Sequence, residues 1–165
     1  MKTIVIGLGN PILGDDGVGW RIVDEVKRKM IACAEPFLQA GEVAVDCLAL
    51  GGISLMEHLI GYQRVILIDA FLSETEPGTI RVARLEEIPE YSAVHITSAH
   101  DTSLQNALKL GRELGADLPT DITVVAISIA PVRDFGEELS SPVADAVPTV
   151  TQIVMNLLVQ NIITL

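Results

Sequence analysis

Lys2-Thr3-Ile4-Val5-Ile6-Gly7-Leu8-Gly9-Asn10-Pro11-Ile12-Leu13-Gly14-Asp15-Asp16-Gly17-Val18 opens the chain with the pattern of an α/β fold. Lys2 to Ile6 is a short β-branched run that ends in Gly7-Leu8-Gly9-Asn10-Pro11, so it reads as a buried strand entering a loop. From Gly17 onward the apolar residues Val18, Ile22, Val23, Val26 and Met30 recur at helical spacing, and Asp15 or Asp16 stands where an N-cap belongs. Strand, glycine-rich loop and helix in that order make the first unit of an α/β fold.

The same alternation continues along the chain. Glu42 to Leu48 predicts a second strand and Ser54 to Ile60 a short helix. Arg64 to Asp69 predicts a third strand, unalternating and therefore central. Beyond the polar Ser73 to Gly78, Thr79 to Leu85 alternates and suits an edge or antiparallel strand. Glu86 to Ala99 shows no period and reads as a long loop. Ser103 to Leu114 is a helix stopped by Gly115, and Asp121 to Ile129 is another buried strand. Val147, Val150, Val154, Leu157 and Leu158 close the chain as a helix, with Pro148 at an early position. No repeat or linker interrupts the series. The expected architecture is one domain over 1–165, a three-layer α/β/α sandwich on a single mostly parallel sheet.

Composition agrees. Hydrophobic residues make up 49% and aromatics only 4%, so the core must be built from Val, Ile, Leu and Ala, as in a sheet covered on both faces. The net charge of -11 repels phosphate and argues against nucleic acid as a partner. The two cysteines, Cys33 and Cys47, lack metal-like spacing and read as thiols of a reducing compartment. The N-terminal apolar run is too short for a signal peptide and no stretch approaches a membrane span, so the expectation is a cytoplasmic chain without membrane contact.

Ligands of open α/β sheets bind at the carboxyl ends of the strands. Three polar clusters are expected there, each outside regular structure: Gly14-Asp15-Asp16, Asp69, and His100-Asp101. Gly7-x-Gly9 suggests a dinucleotide loop, but the third glycine of that fingerprint would stand at Ile12, and adjacent carboxylates repel phosphate. Asp16 equally suits a cap of the following helix, and Asp69 an acceptor of backbone N–H groups at the next turn. A histidine at a helix N-terminus stays neutral and available as a ligand. His58 and His95 read as solvated side chains. Two carboxylates and one imidazole would make an open site for a divalent transition metal. No Ser-His-Asp or Cys-His arrangement is present in the sequence.

Gly7-Leu8-Gly9-Asn10-Pro11-Ile12-Leu13-Gly14-Asp15-Asp16-Gly17-Val18-Gly19 closely resembles the N-terminal signature of the hydrogenase maturation endopeptidases. The resemblance continues through Ile68-Asp69-Ala70, Pro77-Gly78-Thr79, Ser98-Ala99-His100 and Leu139-Ser140, in the family's order and spacing. It implies a twisted sheet of about five strands of the phosphorylase/hydrolase-like kind. It also implies an aspartic-type endopeptidase that cuts a C-terminal extension from a nickel–iron hydrogenase large-subunit precursor once nickel is inserted. Carried over by position, Asp16, Asp69 and His100 are the catalytic and metal-contacting residues, with the nickel supplied by the precursor. One departure stands out: where many members have an Asp-Gly-Gly-Thr turn, this chain has Leu50-Gly51-Gly52-Ile53, and Asp46 lies four residues upstream.

For a chain of 165 residues the expected state is a monomer in transient complex with the precursor. Two other readings are carried: a nickel-binding assembly chaperone that cuts nothing, and a peptidyl-tRNA hydrolase-like enzyme. The latter shares the Gly-Leu-Gly-Asn-Pro loop but calls for a basic RNA face, which the charge opposes.

Overall fold

The computed structural model describes residues 1–33, 42–88, 102–132 and 134–160. Its strands are β1 (Thr3–Leu8), β2 (Val43–Leu48), β3 (Arg64–Leu72), β4 (Ile80–Arg84) and β5 (Asp121–Ile129), in the sheet order β2-β1-β3-β5-β4. The first three pairings across the sheet are parallel, and β4 joins β5 antiparallel at one edge. The helices are α1 (Val18–Ala32), α2 (Gly52–His58), α3 (Leu104–Glu113) and α4 (Ser141–Gln160).

Uninterrupted apolar strands serve two cores at once, because successive side chains point to opposite faces. Val5, Ile66, Ile68, Val125 and Ile127 pack with α1 and α4 on one face. Ile4, Ile6, Val65, Leu67 and Val124 pack with α2 and α3 on the other. Each fully buried Ile, Val or Leu contributes roughly 1.5–3 kcal/mol by leaving water. The expected three-layer sandwich is therefore what these residues build.

The depth at which α1 sits is set by two glycines. A Cβ on Gly7 would lie 2.4 Å from the Gly19 carbonyl oxygen. One on Gly19 would lie 2.4 Å from the Leu8 oxygen and 2.7 Å from that of Ile68. The first turn of α1 thus rides backbone to backbone on β1 and β3, a fit no larger residue permits.

At the amino ends of the strands, Arg64 and Asp121 are register partners, and Arg64 Nε lies 3.3 Å from Asp121 Oδ2. Arg84 Nη1 meets the other oxygen at 3.0 Å. Burial pulls the Arg64 guanidinium below its ordinary pKa, with Asp121 opposing that shift. Clefts of about 130 and 330 Å³ flank this ion cluster. The larger lies at the amino ends of the strands, and the smaller runs along α3 from Gln105 to Arg112.

Several boundaries differ from expectation. β1 extends through Gly7 and Leu8, because both keep parallel partners on β2. β3 runs on to Leu72, paired with β5 throughout, so Asp69 lies within a strand and does not end it. Gly14–Gly17 is a 3-10 turn, and Asp16 belongs to it. The N-cap of α1 is Gly17 with no side-chain bond, so neither Asp15 nor Asp16 caps that helix. Pro148 lies inside α4, which begins at Ser141. α4 is long and apolar enough to cross a membrane by length and composition, contrary to the sequence reading. Its Val143, Val150, Val154 and Leu158 are buried in the core with α1, which accounts for its apolarity. The expected strand Thr79 to Leu85 ends at Arg84; of the expected loop, Glu86 and Glu87 join Leu85 in a 3-10 turn, and 89–99 lie outside the described residues.

Gly19→Ala is expected to lower unfolding free energy in urea by at least about 2 kcal/mol, since backbone must move to admit the methyl. Gly136→Ala, where a Cβ meets nothing within 4 Å, should stay within about 0.5 kcal/mol of the parent. Equal midpoints for Gly19→Ala and the parent would show that α1 can lift from the sheet without loss.

Candidate active site

β1 is paired with β2 on one side and β3 on the other, so the connections leaving β1 and β3 diverge above their carboxyl ends. Open α/β sheets bind ligands in the crevice this creates. Ile68 is the last β3 residue with a partner on β1, and Asp69 follows it, opposite Ala126 of β5. Val65 and Leu67 face the α2–α3 core, and Asp69 shares their side of the strand. Its exposure is 1%, and that of Asp16 is 4%. Both carboxylates are thus withdrawn from water at the switch point, where burial of a charge is costly without hydrogen bonds or a cation.

The loop that carries Asp16 doubles back on itself. Gly9 has φ +129°, and a Cβ there would stand 1.9 Å from the Asp16 carbonyl oxygen. The Asn10 N–H donates to Asp16 Oδ2 at 2.7 Å, and the Asp16 N–H donates to the Leu13 carbonyl at 3.2 Å. Asn10 Oδ1 in turn accepts from the Ile12 N–H at 3.2 Å. The carboxylate is therefore held by the loop it belongs to, in one orientation.

Its neighbour does a different job. Asp15 Oδ1 accepts the Ser140 N–H at 2.6 Å, and Oδ2 accepts the Ser140 hydroxyl at 2.7 Å, just ahead of α4. Beside this clasp the Gly14 N–H donates to the Gly136 carbonyl at 2.6 Å, and the Gly136 N–H to that of Ile12 at 2.9 Å. Pro77-Gly78-Thr79 is likewise structural. Gly78, at φ +85°, leaves no room for a Cβ against the Pro142 carbonyl, and its N–H bonds the Ser128 carbonyl at 2.8 Å. Sequence reading found Asp15 and Ser140 separately. Nothing in their spacing, 125 residues, joins them.

His100 lies outside the described residues, as do His95, Ser98, Ala99 and Asp101. Ser103 caps α3, its hydroxyl accepting the Asn106 N–H at 3.3 Å. Because α3 leads into the start of β5, its first turn stands at the carboxyl end of the sheet, on the face Asp69 shares. Among the described residues no group of three His, Cys, Asp or Glu side chains is placed to hold a metal. Asp46 pairs with His58 at 3.1 Å and accepts the Cys47 N–H at 2.8 Å, so His58 has an acidic partner that sequence reading did not give it. Burial pushes the Cys47 thiol up, away from the thiolate a nucleophile needs. Leu50 packs on the α2–α3 core, and Gly52, at φ +51°, starts α2 in place of the missing acidic turn.

Residues 21–157 match the model of the hydrogenase maturation protease family. The chain is 26% identical over 161 residues to the hydrogenase expression/formation protein HupD of Rhizobium leguminosarum bv. viciae, covering 95% of this chain and 74% of that protein. It is 29% identical over 128 residues to the hydrogenase 2 maturation protease of Escherichia coli K12, covering 77% and 73% respectively. The solved structure of the hydrogenase maturating endopeptidase HybD from E. coli shares the fold. Its TM-score is 0.73 at 22% identity, covering 98% of this chain and 94% of that one.

Asp15→Ala should lower stability by about 1–2 kcal/mol, the range for losing a side chain that satisfies backbone and hydroxyl donors ahead of a helix. A double-mutant cycle with Ser140→Ala, followed by urea unfolding, should return a coupling of at least about 0.5 kcal/mol. Strict additivity would mean the clasp does not hold the loop.

Proposed function

Because the chain belongs to the hydrogenase maturation protease family, we propose that it removes the C-terminal extension of a nickel–iron hydrogenase large-subunit precursor, with Asp16, Asp69 and His100 engaging the nickel seated in that precursor. The observation that carries the site assignment is the pair of buried carboxylates at one switch point, Asp16 from the first loop and Asp69 from β3.

The donor set fits a divalent transition metal: two carboxylate oxygens of hard character and an imidazole nitrogen, with positions left for groups from the precursor. Nickel brought by the substrate would supply a Lewis acid beside the scissile bond. The chain's own residues do the rest. Asp16 is oriented by the Asn10 N–H, so its geometry is set before any substrate arrives. Asp69 is anchored in a strand paired with β5, which fixes it against the loop. His100 is assigned by the resemblance of Ser98-Ala99-His100, and the position of the α3 cap at the same end supports it. A precursor without nickel gives these ligands nothing to grip, so loading becomes the condition for cutting. This is specificity by a missing ligand count, not general proteolysis. Either carboxylate could also take a proton from the attacking water as general base.

The test is the intact mass of a nickel-loaded precursor after incubation. The parent protein should release a discrete C-terminal fragment, and nickel-free precursor should stay whole. Asp16→Ala, Asp69→Ala and His100→Ala should each slow release by about a hundredfold or more. Cutting that survives all three substitutions would sink the site assignment. Unchanged mass with precursor bound would favour the non-cutting nickel chaperone.

A further inference from the structure

We propose that an exposed apolar rim formed by Ile12, Leu72 and Phe135 grips the precursor's C-terminal extension through an apolar side chain with a basic neighbour. The inference rests on the protease reading above and adds the surface that selects the extension.

The parallel bridge between Leu13 and Gly136 puts Ile12 beside Phe135 in register, and partners in a parallel pair share a face. Two backbone hydrogen bonds, at 2.6 and 2.9 Å, lock that arrangement. Yet Phe135 is 83% exposed, Ile12 48% and Leu72, the last residue of β3, 52%. All three stand at the carboxyl end of the sheet. Ile12 is on the same loop as Asp16, four residues before it, and Leu72 is three residues past Asp69. A peptide laid across the crevice advances about 3.3 Å per residue, so a side chain seated on the rim lies within a few residues of the cut. Aromatic and aliphatic groups held on a fixed backbone beside a site are the usual anchors of peptide recognition.

Charge selects the occupant. In sequence Phe135 is flanked by Asp134, Glu137 and Glu138 against Arg133, and the Arg21 guanidinium reaches the segment at the Glu137 carbonyl, 2.8 Å away, so carboxylates still outnumber cations there. An acidic peptide is repelled there, and an apolar residue next to Lys or Arg is favoured. A second copy of this chain would bring another net charge of -11 to an acidic rim, which opposes self-association as the role of the patch. Leu114 is 78% exposed as well, but it follows α3 at the opposite end of the sheet and serves as a comparison.

Processing kinetics on the nickel-loaded precursor give the first readout. Phe135→Ala should raise KM about tenfold or more, Ile12→Ser should add to it, and kcat should change less. Leu114→Ser should leave KM alone. Changing the extension's apolar residues to Ser should raise KM for the parent protein but little further for Phe135→Ala. Unaltered KM in the Phe135→Ala, Ile12→Ser double variant would overturn the proposal. If the parent protein cuts nothing, the protease reading fails separately. Fluorescence anisotropy with a labelled synthetic extension peptide then still decides the rim: weaker binding by Phe135→Ala supports it, equal binding overturns it. A dimer dissolved by Phe135→Ala in sedimentation runs would also overturn it, in favour of self-association.

Discussion

The closeness of Gly19 to the backbone of β1 and β3 is the constraint on which the rest of the molecule depends. With no side chain between them, α1 lies directly on the strands, and the loop joining β1 to α1 must close within a small space. Gly9 and Gly17 follow from the same crowding. A Cβ on Gly17 would stand 2.8 Å from Pro11 Cα, so the loop has one way to fold. The result is a carboxylate delivered to the switch point by backbone geometry, not by a flexible side chain finding its place.

Asp15 and Asp16 show how neighbouring identical residues take opposite tasks. They lie on a 3-10 turn, where successive side chains point about 120° apart. One is directed at Ser140 and is spent on holding α4 to the loop. The other is buried under Asn10 at the mouth of the crevice. Part of the N-terminal signature is therefore architectural, and the same holds for Pro77-Gly78-Thr79 and Leu139-Ser140. Motifs that travel with a function in sequence can serve it only by keeping the site's walls in place.

Much of this was legible in the sequence. Unalternating β-branched runs, helical apolar spacing and the stops at Gly9, Gly78 and Gly115 follow from local sterics, and these gave five strands and the antiparallel edge. Asp16 and Asp69 stood out because a carboxylate beside an apolar strand needs a reason. Two of the errors have a common cause. The end of β3 is decided by its pairing with β5, and Asp15 is drawn away from the start of α1 by Ser140, both far along the chain, while Pro148 is interior because α4 begins at Ser141. The Asp15–Ser140 clasp, the Leu13–Gly136 bridge and the Asp46–His58 pair are likewise long-range contacts. No local pattern announces them.

The clasp has a consequence for timing. The loop that presents Asp16 leaves the ribosome more than a hundred residues ahead of its partners at 136 and 140. Contacts so far apart form late, because the intervening chain must first be ordered. During synthesis the strands of β1, β3 and β5 can pair while the first loop remains untied. A hydrolase assembled in this order has its site framed only once residue 140 has been made, so a nascent product stalled before that point holds the carboxylates but not the frame that aims them.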